Sequence, residues 1–131
     1  YRSFFSAFRP VAGTPLAHKS AASTIREHRL YQTDFLLRQY RFTPWDIPFD
    51  TNGFLPETAD PKMLWARCHP EYLPVNLNSA GYCPLLKVTG LGPTSAKKII
   101  ELRKIRRIKK VDDLAGKRIQ VKKLREFAVA T

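Results

Sequence analysis

At 131 residues and 15.0 kDa, 44% of it hydrophobic, the chain can build one modest core, either one domain or one domain with a fragment of another. A net charge of +12 and a pI near 10.1 call for a polyanionic partner or for tolerance of strong self-repulsion. Two cysteines without a Cys-x-x-Cys pair exclude a secreted disulfide scaffold and point to a reducing, cytoplasmic setting, and no apolar run approaches the roughly 18 residues of a membrane span.

The basicity is uneven. From Pro84 onward there are fourteen Lys/Arg and four Asp/Glu, whereas Tyr1 to Cys83 holds nine and seven. A start at Tyr1, with no initiator methionine, leads to the expectation of a piece cut from a longer chain.

In chain order, "YRSFFSAFRPV" is aromatic-rich and bounded by Pro10 and Gly13, which predicts one isolated strand in need of neighbours. "GTPLAHKSAAS" reads as a loop. In "STIREHRLYQTDFLLRQYRF" Ser23 or Thr24 is an N-cap, Glu27 follows at capping distance, and Ile25, Leu30, Tyr31, Phe35, Leu36, Leu37 and Tyr40 recur at three-to-four spacing, so a long helix is expected. The proline-rich "FTPWDIPFDTNGFLPETADP" is irregular, with Thr43-Pro44 opening one turn. Asp60 as N-cap and Pro61 at the first helical position start a helix of about two turns that ends before Pro70. Gly81 caps a short helix from Tyr82 to Val88, "TGLG" forms a turn, and Pro93 opens a second helix through Ala96, Ile99, Ile100, Leu102, Arg103 and Ile105. Further helices are expected around Val111 to Ala115 and over "VKKLREFAVA".

The pattern Val88-x-Gly90-Leu91-Gly92, with Ala96 four residues beyond the second glycine and Ile99 and Ile100 after it, resembles the helix-hairpin-helix motif. Glycines let the backbone turn at positive φ and approach a ligand closely, and the amides opening the second helix lack intrahelical partners, which favours an anion. The resemblance implies that the amides of Gly90, Leu91, Gly92 and the residues just after them hold a nucleic-acid phosphate. Thr94, Ser95, Lys97 and Lys98 are placed to support that contact, with Lys87 and Arg103 nearby. It also implies a monovalent-cation position at the carbonyls of Leu86, Val88 and Leu91. As a dinucleotide fingerprint the turn fails, because Ser95 replaces the third glycine and no strand precedes it. The tract "RKIRRIKK" adds six cations in eight residues, and "VKKLREF" three more. The plainer reading is a packing hairpin with an ordinary solvated lysine face.

The segment from "VNLNSA" to "VDDL" is also similar to the DNA-binding domain of competence-type DNA-uptake receptors, in which the motif is doubled. Here the second copy, "AGKRIQ", has lost its Gly-x-Gly, so a packing partner is expected there. "REHRLYQTDFLLRQYRF" and "DPKMLWARCHPEYLPVNLNSA" resemble the C-terminal part of radical S-adenosylmethionine proteins of DNA modification and repair. That resemblance implies an upstream catalytic barrel, with residues 1–22 as its remnant, residues 23–77 as a helical linker and residues 78–131 as the hairpin domain. The iron–sulfur cluster and S-adenosylmethionine would belong to the parent alone, since the three-cysteine cluster motif is absent, and no cofactor is expected in this chain. The expected partners are DNA or RNA, the upstream barrel and a DNA glycosylase-type repair protein, with no membrane. Thr89 departs from the proline common at its position and should loosen the turn.

The fold class expected is therefore mainly α, a degenerate double helix-hairpin-helix with an N-terminal helical extension and an isolated strand. Cys68, His69 and Cys83 lack the spacing of a zinc site. Trp45, Trp65, Tyr72 and Tyr82 suit base stacking but fit a core better. Asp112 and Asp113 read as a helix cap, and no catalytic set is assembled. Two rival readings are a protein-interaction module and a cap over a barrel's substrate, with His28 or Tyr31 closing the site.

Overall fold

The computed structural model describes residues 1–116 and 119–131. Five helices carry the fold: α1 (Thr24–Gln39), α2 (Pro61–Cys68), α3 (Tyr82–Lys87), α4 (Pro93–Ile105) and α5 (Val121–Phe127). Two short strands, β1 (Val75–Asn76) and β2 (Ala128–Val129), pair in parallel, Val75 with Ala128 and Asn76 with Val129. Single 3-10 turns lie at Pro44–Asp46, Pro70–Tyr72 and Val111–Leu114.

The helix starts follow local chemistry. The Ser23 hydroxyl accepts from the Ile25 amide at 3.1 Å, and the Asp60 carboxylate accepts from Met63 at 2.9 Å with Pro61 at the first position of α2. α1 closes with the amides of Tyr40 and Phe42 both donating to the Leu36 carbonyl, while Arg41 takes the left-handed conformation (φ 59) that glycine usually supplies there.

Five expectations need correction. "YRSFFSAFRPV" forms no strand, because no neighbouring strand is available to it among the described residues. It runs as irregular chain instead, held to α1 by the Tyr31 hydroxyl, which bonds both main-chain groups of Phe5, and by the Glu27 carboxylate, which accepts from the Ala7 amide. The helix expected at Val111 to Ala115 is only a 3-10 turn, and α5 stops at Phe127 because Ala128 and Val129 pair with β1. The cap at that turn is Asp113 alone, accepting from the Lys110 amide at 3.0 Å, while Asp112 pairs with Arg125. Trp45 and Tyr72 are not core: they are 94% and 63% exposed. Within "AGKRIQ", Lys117 and Arg118 lie outside the described residues.

One core runs through the fold. Leu36, Phe42, Ile47, Leu55 and Trp65 from the N-terminal half join Leu77, Leu85, Leu86, Val88, Ile99, Leu114 and Leu124. Each fully buried aliphatic side chain contributes about 1.5–3 kcal/mol. Asp46 bolts the two halves together: its carboxylate accepts from the amide and hydroxyl of Thr43, from the Trp65 indole at 3.2 Å and from Lys87 at 2.8 Å. The Lys87 ammonium also lies 3.8 Å from the Phe42 ring centre and 4.8 Å from that of Trp65. Polar clamps fix "VNLNSA" at the base of the hairpin. Asn78 bonds both main-chain groups of Ile108, and Arg103 donates to the carbonyls of Leu77 and Ala80 at 3.1 and 2.6 Å.

Candidate nucleic-acid interface

α3 and α4 are joined by Val88 to Gly92. Leu91 donates to the Val88 carbonyl, closing the turn, and Gly90 sits at φ +92 in the left-handed region. Gly90 also packs against the start of α5, so closely that a Cβ there would come within 3.0 Å of the Gln120 carbonyl oxygen and 3.3 Å of the Leu124 nitrogen. Its carbonyl accepts from the Gln120 amide. Gly92 is the N-cap of α4 in an extended conformation, φ −113, with no side chain to cap the helix. α2 shows the contrast: the Asp60 carboxylate accepts from the Met63 amide of its first turn, while α4 has no such side chain. Among the described residues the amides of Gly90, Gly92, Thr94 and Ser95 donate to no main-chain acceptor.

The residues that carry these amides line a cleft of about 780 Å³. Its second wall is α1, through Gln32, Phe35, Gln39 and Tyr40, and its floor includes Asp60 and Lys62. The Tyr40 hydroxyl lies 3.1 Å from where a Cβ on Gly92 would stand. Lys98 and Lys123 are cations at its rim, both exposed. The fold makes the hairpin one side of a groove.

Lys62 is the residue that sequence reasoning missed. It is 8% exposed, and its amine donates to the Leu91 carbonyl and lies 4.5 Å from the Tyr40 ring centre. Burial pushes its pKa down from 10.5 to about 7, against a smaller upward pull from Asp60. The carbonyls proposed for a monovalent cation are thus partly engaged: Leu91 by Lys62, and Val88 by the Leu91 amide. Thr89 was expected from the sequence only to loosen the turn. It is 3% exposed, lines the cleft, and among the described residues its hydroxyl has no hydrogen-bond partner. A proline there could offer no such group.

The fold brings Gly90, Leu91, Gly92, Thr94, Ser95 and Lys98 together on the cleft. Lys97 is exposed on the first turns of α4. Lys87 and Arg103 stand elsewhere, occupied by Asp46 and by the carbonyls of Leu77 and Ala80. The "RKIRRIKK" tract begins in the last turn of α4, about 15 Å along the axis from its open end. His28 is exposed beside a separate small hollow with Thr24, Ile25 and Arg29. Among the described residues no three His, Cys, Asp or Glu side chains gather as a metal site would need, and two cysteines do not supply a three-cysteine cluster.

Residues 71–128 carry a helix-hairpin-helix motif. The match spans α3, the glycine turn, α4 and α5, and begins just before β1. It supports nucleic-acid binding in general. Neither a curated protein nor a solved structure matches the chain.

Proposed function

We propose that this chain binds the nucleic-acid backbone without sequence specificity, the open amides of the hairpin and of α4 donating to a phosphate, with Lys98, Lys97 and Lys123 neutralising its charge. The observation that carries the reading is the conjunction of the helix-hairpin-helix motif with an α4 terminus that has no side-chain cap and opens into a cationic-rimmed cleft. DNA is the expected form. The resemblance of residues 26–42 and 60–80 to radical S-adenosylmethionine proteins extends the proposal: the chain would serve as the cytoplasmic C-terminal tether of a DNA modification or repair enzyme, with cluster and chemistry on the upstream barrel.

The test separates amide grip from diffuse charge. Gly92→Val leaves net charge unchanged but sets a branched side chain where only 3.1 Å separates the Cβ from the Tyr40 hydroxyl. Binding of labelled DNA, followed across a salt series, should weaken at least about tenfold while log K keeps falling by about 0.7–0.9 per neutralised phosphate. Unchanged affinity in a variant that still folds by circular dichroism would leave only diffuse charge. A second reading, a module that packs on a protein or on its own barrel, draws on the exposed Phe4, Val11, Trp45 and Tyr72. That reading requires no binding of short duplex DNA at moderate salt.

A further inference from the structure

The geometry points to single-stranded nucleic acid as the ligand, with one unstacked nucleotide inserted between α1 and the hairpin, its phosphate on the α4 amides and the Thr89 hydroxyl, its base against Phe35. This inference rests on the phosphate-binding reading above and adds to it the strandedness of the ligand.

The two walls of the cleft differ in chemistry. The hairpin wall is built for an oxyanion. Its amides are open, and the Thr89 hydroxyl is buried to within 3% of full enclosure with nothing to bond among the described residues, a state that costs about as much as a lost hydrogen bond unless a ligand supplies the partner. The α1 wall offers no cation to a phosphate. Gln32, Phe35, Gln39 and Tyr40 project from one helical face, and the charged neighbours on α1 are committed, Arg38 to Asp34 and Arg29 to Gln32 and the Glu57 carbonyl. Aromatic rings and side-chain amides suit the face and the edge of a base. Phe35 is 45% exposed although the hydrophobic periodicity of α1 would send it to the core; the Arg38 guanidinium lies over its ring, 5.4 Å from the centre, so a base would use the ring area that Arg38 leaves uncovered at the cleft.

A duplex uses this arrangement poorly. Its bases are stacked and paired, so with a phosphate on the α4 amides no base face is free to lie against Phe35. A single strand can turn one base out at little cost. The volume, about 780 Å³, lies within the range of sites that enclose small organic ligands.

Fluorescence anisotropy of the 131-residue chain with a labelled oligodeoxythymidine, and with the same strand annealed to oligodeoxyadenosine, at one salt concentration, tests the inference. The single strand should bind at least about tenfold more tightly, and Phe35→Ala should weaken it by roughly ten- to hundredfold while leaving duplex binding unchanged. Thr89→Val, which keeps the side-chain shape, should weaken the single strand while leaving the melting temperature of the free chain no lower, since it removes a buried hydroxyl that has no partner among the described residues. Equal affinity for both probes, with Phe35→Ala silent, overturns the inserted nucleotide and leaves backbone binding standing. Failure of both probes to bind at low salt overturns the backbone reading as well.

Discussion

Replacing Gly90 and Gly92 one at a time with alanine separates their two roles. At Gly90 the backbone is at φ +92, and a non-glycine residue in the left-handed region costs roughly 1–2 kcal/mol. The added Cβ would also stand 3.0 Å from the Gln120 carbonyl oxygen and 3.3 Å from the Leu124 nitrogen, main-chain atoms that no side-chain rotation moves aside. Relief requires α5 to retreat, and Leu124 on that helix is fully buried, so a further cost of about 1–3 kcal/mol follows from overpacking. Loss of chain entropy in the unfolded alanine variant returns about 0.4–1 kcal/mol. The net destabilisation is about 2–4 kcal/mol. At Gly92 φ is −113, which any residue adopts, and the Cβ meets only the Tyr40 hydroxyl at 3.1 Å, the free end of a side chain. Less than about 1 kcal/mol is expected there. In urea, with a slope of about 1–3 kcal/mol per molar, the midpoint should fall by roughly 1–2 M for Gly90→Ala and by a few tenths for Gly92→Ala. Equal midpoints, or the reverse order, would refute the clamping of the hairpin by α5.

Three further outcomes follow from the polar network. Lys62 is depressed to about 7 by burial, so between pH 7 and 10.5 the unfolded chain holds a proton that the folded chain has released, and stability rises with pH in that window. Urea midpoints taken from about pH 7 to about pH 9.5, where the burial-raised Tyr40 phenol is still protonated, should climb in the parent and flatten in Lys62→Met; a flat parent profile contradicts the burial of the amine. At Asp46 burial pushes the carboxyl up, but Lys87 and the amide and hydroxyl of Thr43 outweigh it and hold it at about 2, so its stabilisation is full above 3.8 and is lost as pH falls towards 2. Asp46→Asn should cost about 1 kcal/mol near neutrality, after allowance for screening at a part-exposed site, and should remove that acid limb in thermal melts. Arg103→Met should lower stability by about 1–3 kcal/mol through the unpaired carbonyls of Leu77 and Ala80, and leave the salt dependence of DNA binding unchanged; a reduced salt slope would place Arg103 on the phosphate after all.

The helices were legible in the sequence where punctuation is local, and the cleft was not, because it depends on contacts between distant segments. Ser23, Asp60-Pro61, Gly81 and Gly92-Pro93 each mark a start that the fold respects, since a cap needs only neighbours two or three residues away. The ending of α5 was misread for the opposite reason: Ala128 and Val129 continue an apolar, helix-compatible run, and only pairing with Val75 and Asn76, more than fifty residues earlier, draws them into a strand. Charge misled in a similar way. Counting cations around the hairpin gave Lys87 and Arg103 the same weight as Lys98, yet the first two are used up inside the fold by Asp46 and by main-chain carbonyls. Lys62 attracted no notice because a lysine is seldom buried, and nothing within "DPKMLW" foretells that the Leu91 carbonyl will come to meet it. The signal that could have revealed the cleft lay in α1. Its apolar residues are too many for one stripe, and the surplus, Ile25, Phe35 and Leu37, remains exposed. Of these Phe35 alone lines the cleft, facing the open amides of α4. An aromatic ring that the core does not need, across the cleft from a helix start that no side chain caps, is intelligible if the inserted base proposed above lies between them.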